Sequence, residues 1–370
     1  MAYLRLALRS LVCLIVAVCI AELCARIDDA LTDGAPLFGP YGYSAMLTHD
    51  EFGVTGRPYG HYLKWKLNSR GYRGPEIRWD RERIMCIGAS ETFGFTESEG
   101  MEYPRQLERE LNARGGCNHY QVVNVAYAGQ SLGSFSRRVD NVVAEIKPRF
   151  ALAYPTLLTY VDPPSEDADP TEWVKENSAF QFRVRGKFFN VIDTMPEWAA
   201  TIRYKLHIWK ATRHAAVMQR IPEANVERFH RDLCRLLDNL EQKHIEAVLV
   251  THATRFGKRV LPEERPMLVA WRRFAPTLND PGFLDMENRL NNVIRMEAAA
   301  RRLILVDAAE NVSGRENFAD FAHFTDRGAN VMAKLIADRL LAAEDSHTQP
   351  CSESDVLPVI IAPMGARHFR

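Results

Sequence analysis

Three short stretches of the chain carry side chains that could do chemistry together. Ser90 lies in Gly88-Ala89-Ser90-Glu91-Thr92-Phe93-Gly94, directly after a short apolar run. A serine flanked by small residues at the end of a buried strand can hold its hydroxyl at the mouth of a sheet. Its own N–H then points at a bound carbonyl oxygen. Gly129, in Ala126-Tyr127-Ala128-Gly129-Gln130-Ser131, allows close backbone approach and can offer a second N–H to the same oxygen. Asp320 and His323, in Phe318-Ala319-Asp320-Phe321-Ala322-His323-Phe324, are three apart, so one turn brings the carboxylate onto the imidazole. Such a bond fixes the ring tautomer and leaves the other nitrogen to accept a serine proton. Taken singly, the serine reads more readily as a helix cap and the glycine as a tight turn, and a lone Asp-x-x-His is a weak signal.

The elements around these stretches decide whether they can meet. Residues 83–88, 121–126, 150–154, 246–251 and 303–308 are short apolar runs of the kind that form buried parallel strands. Between them, 104–114, 131–147, 223–244, 287–301 and 326–341 show helical spacing of apolar residues. Alternating strands and helices predict a three-layer α/β/α domain with a roughly five-stranded parallel sheet. In such folds ligands bind beyond the carboxyl ends of the strands. Ser90 and Gly129 fall at two of those ends, and the Asp/His pair falls just ahead of the closing helix. That shared placement, in the order serine, glycine, Asp/His, raises the three fragments above their separate weights.

With these residues in view, the sequence resembles the GDSL/SGNH hydrolase superfamily over about 83 to 341. The run Asn68-Ser69-Arg70-Gly71-Tyr72-Arg73-Gly74 looks like the lead-in of its exported or membrane-anchored members. The resemblance implies a flavodoxin-like fold and a catalytic set of Ser90, His323 and Asp320. Ser90 would attack an ester carbonyl, His323 would take its proton, and Asp320 would orient the ring. The N–H groups of Ser90 and Gly129 would hold the oxyanion. There are two departures. The family's first block reads Gly-Asp-Ser where this chain has Ala89, and its third block carries an oxyanion-hole Asn that is missing here. After the third strand the chain reads Tyr154-Pro155-Thr156-Leu157-Leu158-Thr159-Tyr160, so Thr156, Thr159 or Tyr160 are the hydroxyls placed to substitute. The first block is also not the Gly-x-Ser-x-Gly elbow, because position 92 is threonine.

His252, just past the fourth strand, and Arg255 beside it are candidate substrate contacts, with Lys258 close by. Residues 161–221 form a long insertion whose Trp173, Phe180, Phe182, Phe188, Phe189 and Trp198 could make a lid, a sugar platform or a small packed subdomain.

The N-terminus predicts where this chemistry takes place. Residues 6–25 are apolar apart from Arg9, Ser10 and Glu22, long enough to span a bilayer as a helix. Arg5 and Arg9 at its front predict a cytoplasmic N-terminus, with everything after about residue 26 outside. A retained single-pass anchor and a cleaved signal peptide both fit, and both export the rest. The resulting organisation is an anchor at 1–25, a Gly/Pro/Tyr-rich lead-in at 26–82, the hydrolase-like domain at 83–343, and a polar tail at 344–370. Lys+Arg and Asp+Glu balance at 47 each, which offers no basis for a nucleic-acid partner. The seven cysteines form no CxxC or Cys/His ligand spacing, and no glycine-rich phosphate cradle occurs, so neither a metal nor a cofactor is expected. An exported ester-cleaving domain points to an acylated glycan of the envelope, or another small ester, as substrate, with O-acetyl the most economical group. Acyl transfer to a sugar hydroxyl would use the same residues. A non-catalytic binding or assembly component is the alternative that the missing Asn motivates.

Overall fold

Side-chain alternation on the central strands sets the architecture. On strand β5 (Glu82–Gly88), Ile84 and Cys86 pack into one core while Met85 and Ile87 pack into another, so both faces of the sheet are covered. The same division recurs on β7 (Phe150–Tyr154) and β8 (Glu246–Val250). With β6 (Tyr120–Asn124) and β9 (Ile304–Val306) these strands form one parallel sheet in the order β6-β5-β7-β8-β9. Helices α3 (Tyr103–Arg114) and α9 (Asp326–Asp345) cover one face. Helices α4 (Leu132–Ile146), α5 (Glu223–Gln242) and α7 (Asp280–Arg301) cover the other. The chain therefore folds as the three-layer α/β/α domain its pattern predicts. The chain leaves β5 toward β6 on one side and later returns to β7 on the other. That reversal is the switch point where open α/β sheets bind ligands.

The computed structural model describes residues 2–345 apart from 36, 116–118, 162–201, 203–204, 207, 211, 214–215, 258–259 and 273. Most of the insertion with its aromatic residues, Lys258, and the tail beyond 345 lie outside the described residues.

Several expectations need adjusting. Helix α1 (Ala2–Asp33) runs past residue 25, because its last turns dock on the domain: Ala25 and Asp29 are buried, and the Tyr41 hydroxyl donates to the Asp29 carboxylate. Its apolar stretch, Tyr3–Thr32, is long and apolar enough to serve as a membrane anchor or a signal sequence. The lead-in is more ordered than its composition suggests. It forms two antiparallel hairpins, β1 (Leu47–Asp50) with β2 (Gly53–Gly56), and β3 (His61–Tyr62) with β4 (Trp65–Lys66). Helix α7 starts at Asp280 rather than 287. Asn279 caps it by accepting from the Gly282 N–H at 3.0 Å, and Pro281 sits in its first turn. Three further short helices, α2 (Ser90–Phe93), α6 (Arg265–Trp271) and α8 (Ala308–Asn311), fill loops at the carboxyl edge of the sheet.

Candidate active site

Ser90 opens α2 immediately beyond β5, at the switch point. Position 88 has to be glycine: a Cβ there would lie 2.0 Å from Thr92 Oγ1 and 2.8 Å from the Tyr154 carbonyl oxygen. That close approach lets the strand turn at once into the helix. Thr92 then locks the turn, its hydroxyl 3.0 Å from that of Tyr103 and its carbonyl accepting from Asn124 Nδ2 at 2.8 Å. As the first residue of a helix, Ser90 has no intrahelical acceptor for its N–H.

His323 reaches the same point from the loop ahead of α9. The Thr96 hydroxyl, donating to the Phe324 carbonyl at 2.6 Å, ties that loop to the segment after α2. His323 Nε2 lies 2.9 Å from Ser90 Oγ, and Nδ1 lies 2.7 Å from Asp320 Oδ2. The other Asp320 oxygen accepts the backbone N–H groups of Ala322 and His323, each at 2.9 Å. One turn thus orients both members of the pair, as their spacing predicts. Burial opposes charge on the ring, but Asp320, Glu91 and Glu97 outweigh it and raise His323 to about 8. Burial likewise pushes the Asp320 carboxyl up, but its bonds to His323 hold it below the usual carboxylate range.

Gly129 lies on the wall of the same cleft with φ at +77°, a backbone conformation suited to glycine. A Cβ there would meet nothing within 4 Å, so the conformation, and not close packing, is what requires glycine. No described residue accepts its N–H. The cleft holds about 150 Å³. Trp271, Phe274, Met286 and Phe321 make part of its lining apolar.

The three hydroxyls expected to replace the missing Asn are committed elsewhere. Thr156 lines the cleft but donates to Glu91 Oε1 at 3.0 Å. Thr159 also lines it and donates to the Thr156 carbonyl at 3.4 Å. Tyr160 donates to Asp232 at 3.0 Å, outside this cleft. The backbone N–H groups of Ser90 and Gly129 remain as the candidate donors at the cleft. Arg255 is also not at the site. Its Nε pairs with Glu264 at 2.9 Å, and it does not line the cleft.

His252 does line the cleft, in an arrangement the sequence did not reveal. Its Nδ1 lies 2.9 Å from Glu287 Oε2, and its Nε2 lies 3.6 Å from Glu91 Oε1, an ion-pair contact beyond hydrogen-bond reach. Its ring stacks on Tyr154, and Asn291 holds its backbone at both N–H and carbonyl. Burial disfavours a charged His252, but the two glutamates outweigh it and raise the ring to about 10. Burial also pushes the Glu91 carboxyl up, but His252 and His323 bring it down to about 2. A buried carboxylate, backed by a buried ring whose charged form the two glutamates favour, thus sits beside Ser90, with Glu91 Oε2 3.3 Å from Ser90 Oγ. Nothing in the local sequence marks Glu91 or Glu287, since each gains its meaning only from the other's position across the fold.

No family model matches the chain, and no curated protein matches it. Among solved structures it is similar to the lipase/acylhydrolase from Enterococcus faecalis, at 14% identity over 73% of this chain and 99% of that one, with a TM-score of 0.44. It is also similar to a catalytic mutant of Axe2, an acetylxylan esterase from Geobacillus stearothermophilus, at 14% identity, 72% and 96% coverage and a TM-score of 0.43. A third is a GDSL-like lipase from Bacteroides thetaiotaomicron VPI-5482, at 14% identity, 71% and 89% coverage and a TM-score of 0.38. At such low identities and scores, the chemistry of the site rests on its own geometry. In structure the chain is similar, distantly, to GDSL-type lipases and acyl-ester hydrolases.

Proposed function

We propose that the chain is a serine esterase that removes short acyl groups through an acyl-serine intermediate. The observation that carries this is the unbroken line from Ser90 Oγ through His323 to Asp320, at 2.9 and 2.7 Å. In the first half-reaction Ser90 Oγ attacks the ester carbonyl as its proton passes to His323 Nε2. The collapsing tetrahedral adduct expels the alcohol, which takes that proton. In the second half-reaction His323 draws a proton from water as its oxygen attacks the acyl-serine; the adduct then collapses, the acid leaves, and the proton passes from Nε2 to Ser90 Oγ. Asp320 holds the ring and stabilises its charged form. The N–H groups of Ser90 and Gly129 face the developing oxyanion. The cleft's volume of about 150 Å³ lies below the roughly 300 Å³ at which drug-sized pockets begin. Its apolar lining favours a short acyl chain such as acetyl. Helix α1 serves on this reading as a retained anchor, with Arg5 and Arg9 holding its front in the cytoplasm and the domain outside. An O-acylated envelope glycan is the substrate that fits that position.

The test uses the full chain in a non-ionic detergent. Hydrolysis of 4-nitrophenyl acetate should exceed that of the octanoate, and an organophosphonate should label Ser90. Absence of both turnover and labelling would sink the esterase in favour of a non-catalytic binding component.

The pH profile is a second expected outcome. His323 acts as a base only when neutral, and its raised value near 8 keeps it protonated below that pH. Log kcat/KM on a neutral ester should therefore climb by about one per pH unit up to about pH 8 and then level off. Glu91 is one of the charges raising His323, so Glu91→Gln should move this acid limb to lower pH. A limb that stays in place would mean that Glu91 does not act on His323.

A further inference from the structure

The catalytic cleft shares Gly129 and Thr159 with a second, larger groove of about 620 Å³. One wall is the turn between β1 and β2, at Phe52 and Gly53, and the opposite wall is α5. The groove's charge is lopsided in a chain whose net charge is zero. Arg137, Arg228 and Arg235 line it against a single carboxylate, Asp232, which already accepts the Tyr160 hydroxyl at 3.0 Å. The guanidinium of Arg228 is held over the Tyr160 ring at 5.3 Å, which fixes its plane. Arg235 is exposed and makes no ion pair with any described residue.

Unsatisfied polar groups gather in the same place. Gln130 is 5% exposed, and neither its amide nitrogen nor its amide oxygen has a partner among the described residues. Arg228 Nε is also buried without one. Buried polar groups are normally paired, and leaving one unpaired costs stability. Three such atoms in one groove beside a nucleophile mark a place built to receive polar groups from outside. Guanidinium forks match carboxylate and phosphate oxygens two at a time.

We propose that this groove binds the alcohol portion of the ester and that this portion carries an anion, a carboxylate or a phosphate, on the arginine side. The acyl group enters the small apolar cleft, the ester carbonyl meets Ser90 and Gly129, and the anion lies on Arg228 and Arg235. The assignment of the groove to the alcohol rests on the esterase reading; the anion preference rests on the groove alone. It also gives the lead-in hairpin a role as a wall of the substrate site.

Binding separates the two readings, because it needs no turnover. The full chain carrying Ser90→Ala, in non-ionic detergent, is titrated calorimetrically with a mono-O-acetylated methyl glucuronoside and with its uncharged uronamide. A parallel pair is sn-glycerol 3-phosphate and glycerol. The charged member of at least one pair should bind about tenfold more tightly at low salt, with the advantage shrinking as ionic strength rises. Arg235→Gln and Arg228→Gln should each cut that advantage severalfold. Arg235 is exposed and makes no hydrogen bond or ion pair with any described residue, so its variant keeps the test valid if Arg228→Gln misfolds. Discrimination by the sugar pair assigns a uronate-type carboxylate, and discrimination by the glycerol pair assigns a phosphate. Equal binding within both pairs, or a charge preference that survives both arginine variants, overturns the proposal. Loss of phosphonate labelling in the wild-type chain would instead strike the esterase reading.

Discussion

Replacing Ser90 with alanine is expected to lower kcat on a short aryl ester by at least about 10⁴-fold while leaving the fold intact. The side chain is partly exposed, its backbone is held by α2, and its hydroxyl bonds only to catalytic-site groups. Its loss therefore removes the proposed nucleophile without opening a cavity. His323→Ala should cost a comparable factor, since an unassisted serine hydroxyl is a poor nucleophile at neutral pH. The decisive measurement is the double variant. Residues that act as one unit are strongly non-additive, so Ser90→Ala with His323→Ala should be about as slow as either alone. If the two losses multiply, the residues act independently and the 2.9 Å contact between them is not part of the reaction path. If Ser90→Ala retains activity within tenfold, Ser90 is not the nucleophile.

How much of this was legible beforehand follows from where the information lies. The strands could be read because each is a run of buried apolar residues closed by a turn, and β7 matches its expected limits while the other four shift by one or two residues. Ser90, Gly129 and the Asp320/His323 pair could be read because short-range geometry already constrains them. The lead-in could not: strands of two to four residues are too short for alternation to register, and their pairing is fixed by the surface they pack on. The bonds of the hydroxyls proposed in place of the missing Asn were out of reach for a related reason. Sequence placed Thr156, Thr159 and Tyr160 at the right strand end, but hydroxyls are taken by whichever acceptor the fold brings near, and here those acceptors are Glu91, the Thr156 carbonyl and Asp232. The Glu91–His252–Glu287 line was beyond reach altogether, since it joins a helix start, a strand end and a distant helix face. Arg255 looked available for the opposite reason, because its partner Glu264 sits in a single 3-10 turn ahead of α6, too short for any pattern to announce it.

Arg73 carries the second large expectation, and it connects the lead-in to the nucleophile. Its guanidinium is buried, pairs with the equally buried Glu102 at 3.1 Å, and lies over the Phe93 ring at 5.0 Å. It also donates to the carbonyls of Phe93 and Gly94, which end the helix that Ser90 begins. A cation there satisfies carbonyls that α2 leaves open and complements their partial negative charge. Gly94 is required by the same packing: it has φ at +85°, and a Cβ would lie 2.3 Å from that of Glu102. Arg73→Met should therefore cost about 3–5 kcal/mol in chemical denaturation, because Glu102 would remain buried without its counter-charge. Adding Glu102→Gln should recover part of that loss, since removing both charges of a buried pair is far less damaging than removing one. Arg73 also reaches the chemistry. It pulls the Glu97 carboxyl down against a burial that holds it up at about 7, and Glu97 is among the charges that raise His323. Without Arg73, Glu97 should hold its proton to higher pH, its charge on His323 should fade near neutrality, and the acid limb of the kcat/KM profile should move down. A double variant that regains stability yet keeps the wild-type limb would confine Arg73 to holding the fold. A limb that moves with Arg73 would make it a positioning residue for the base as well.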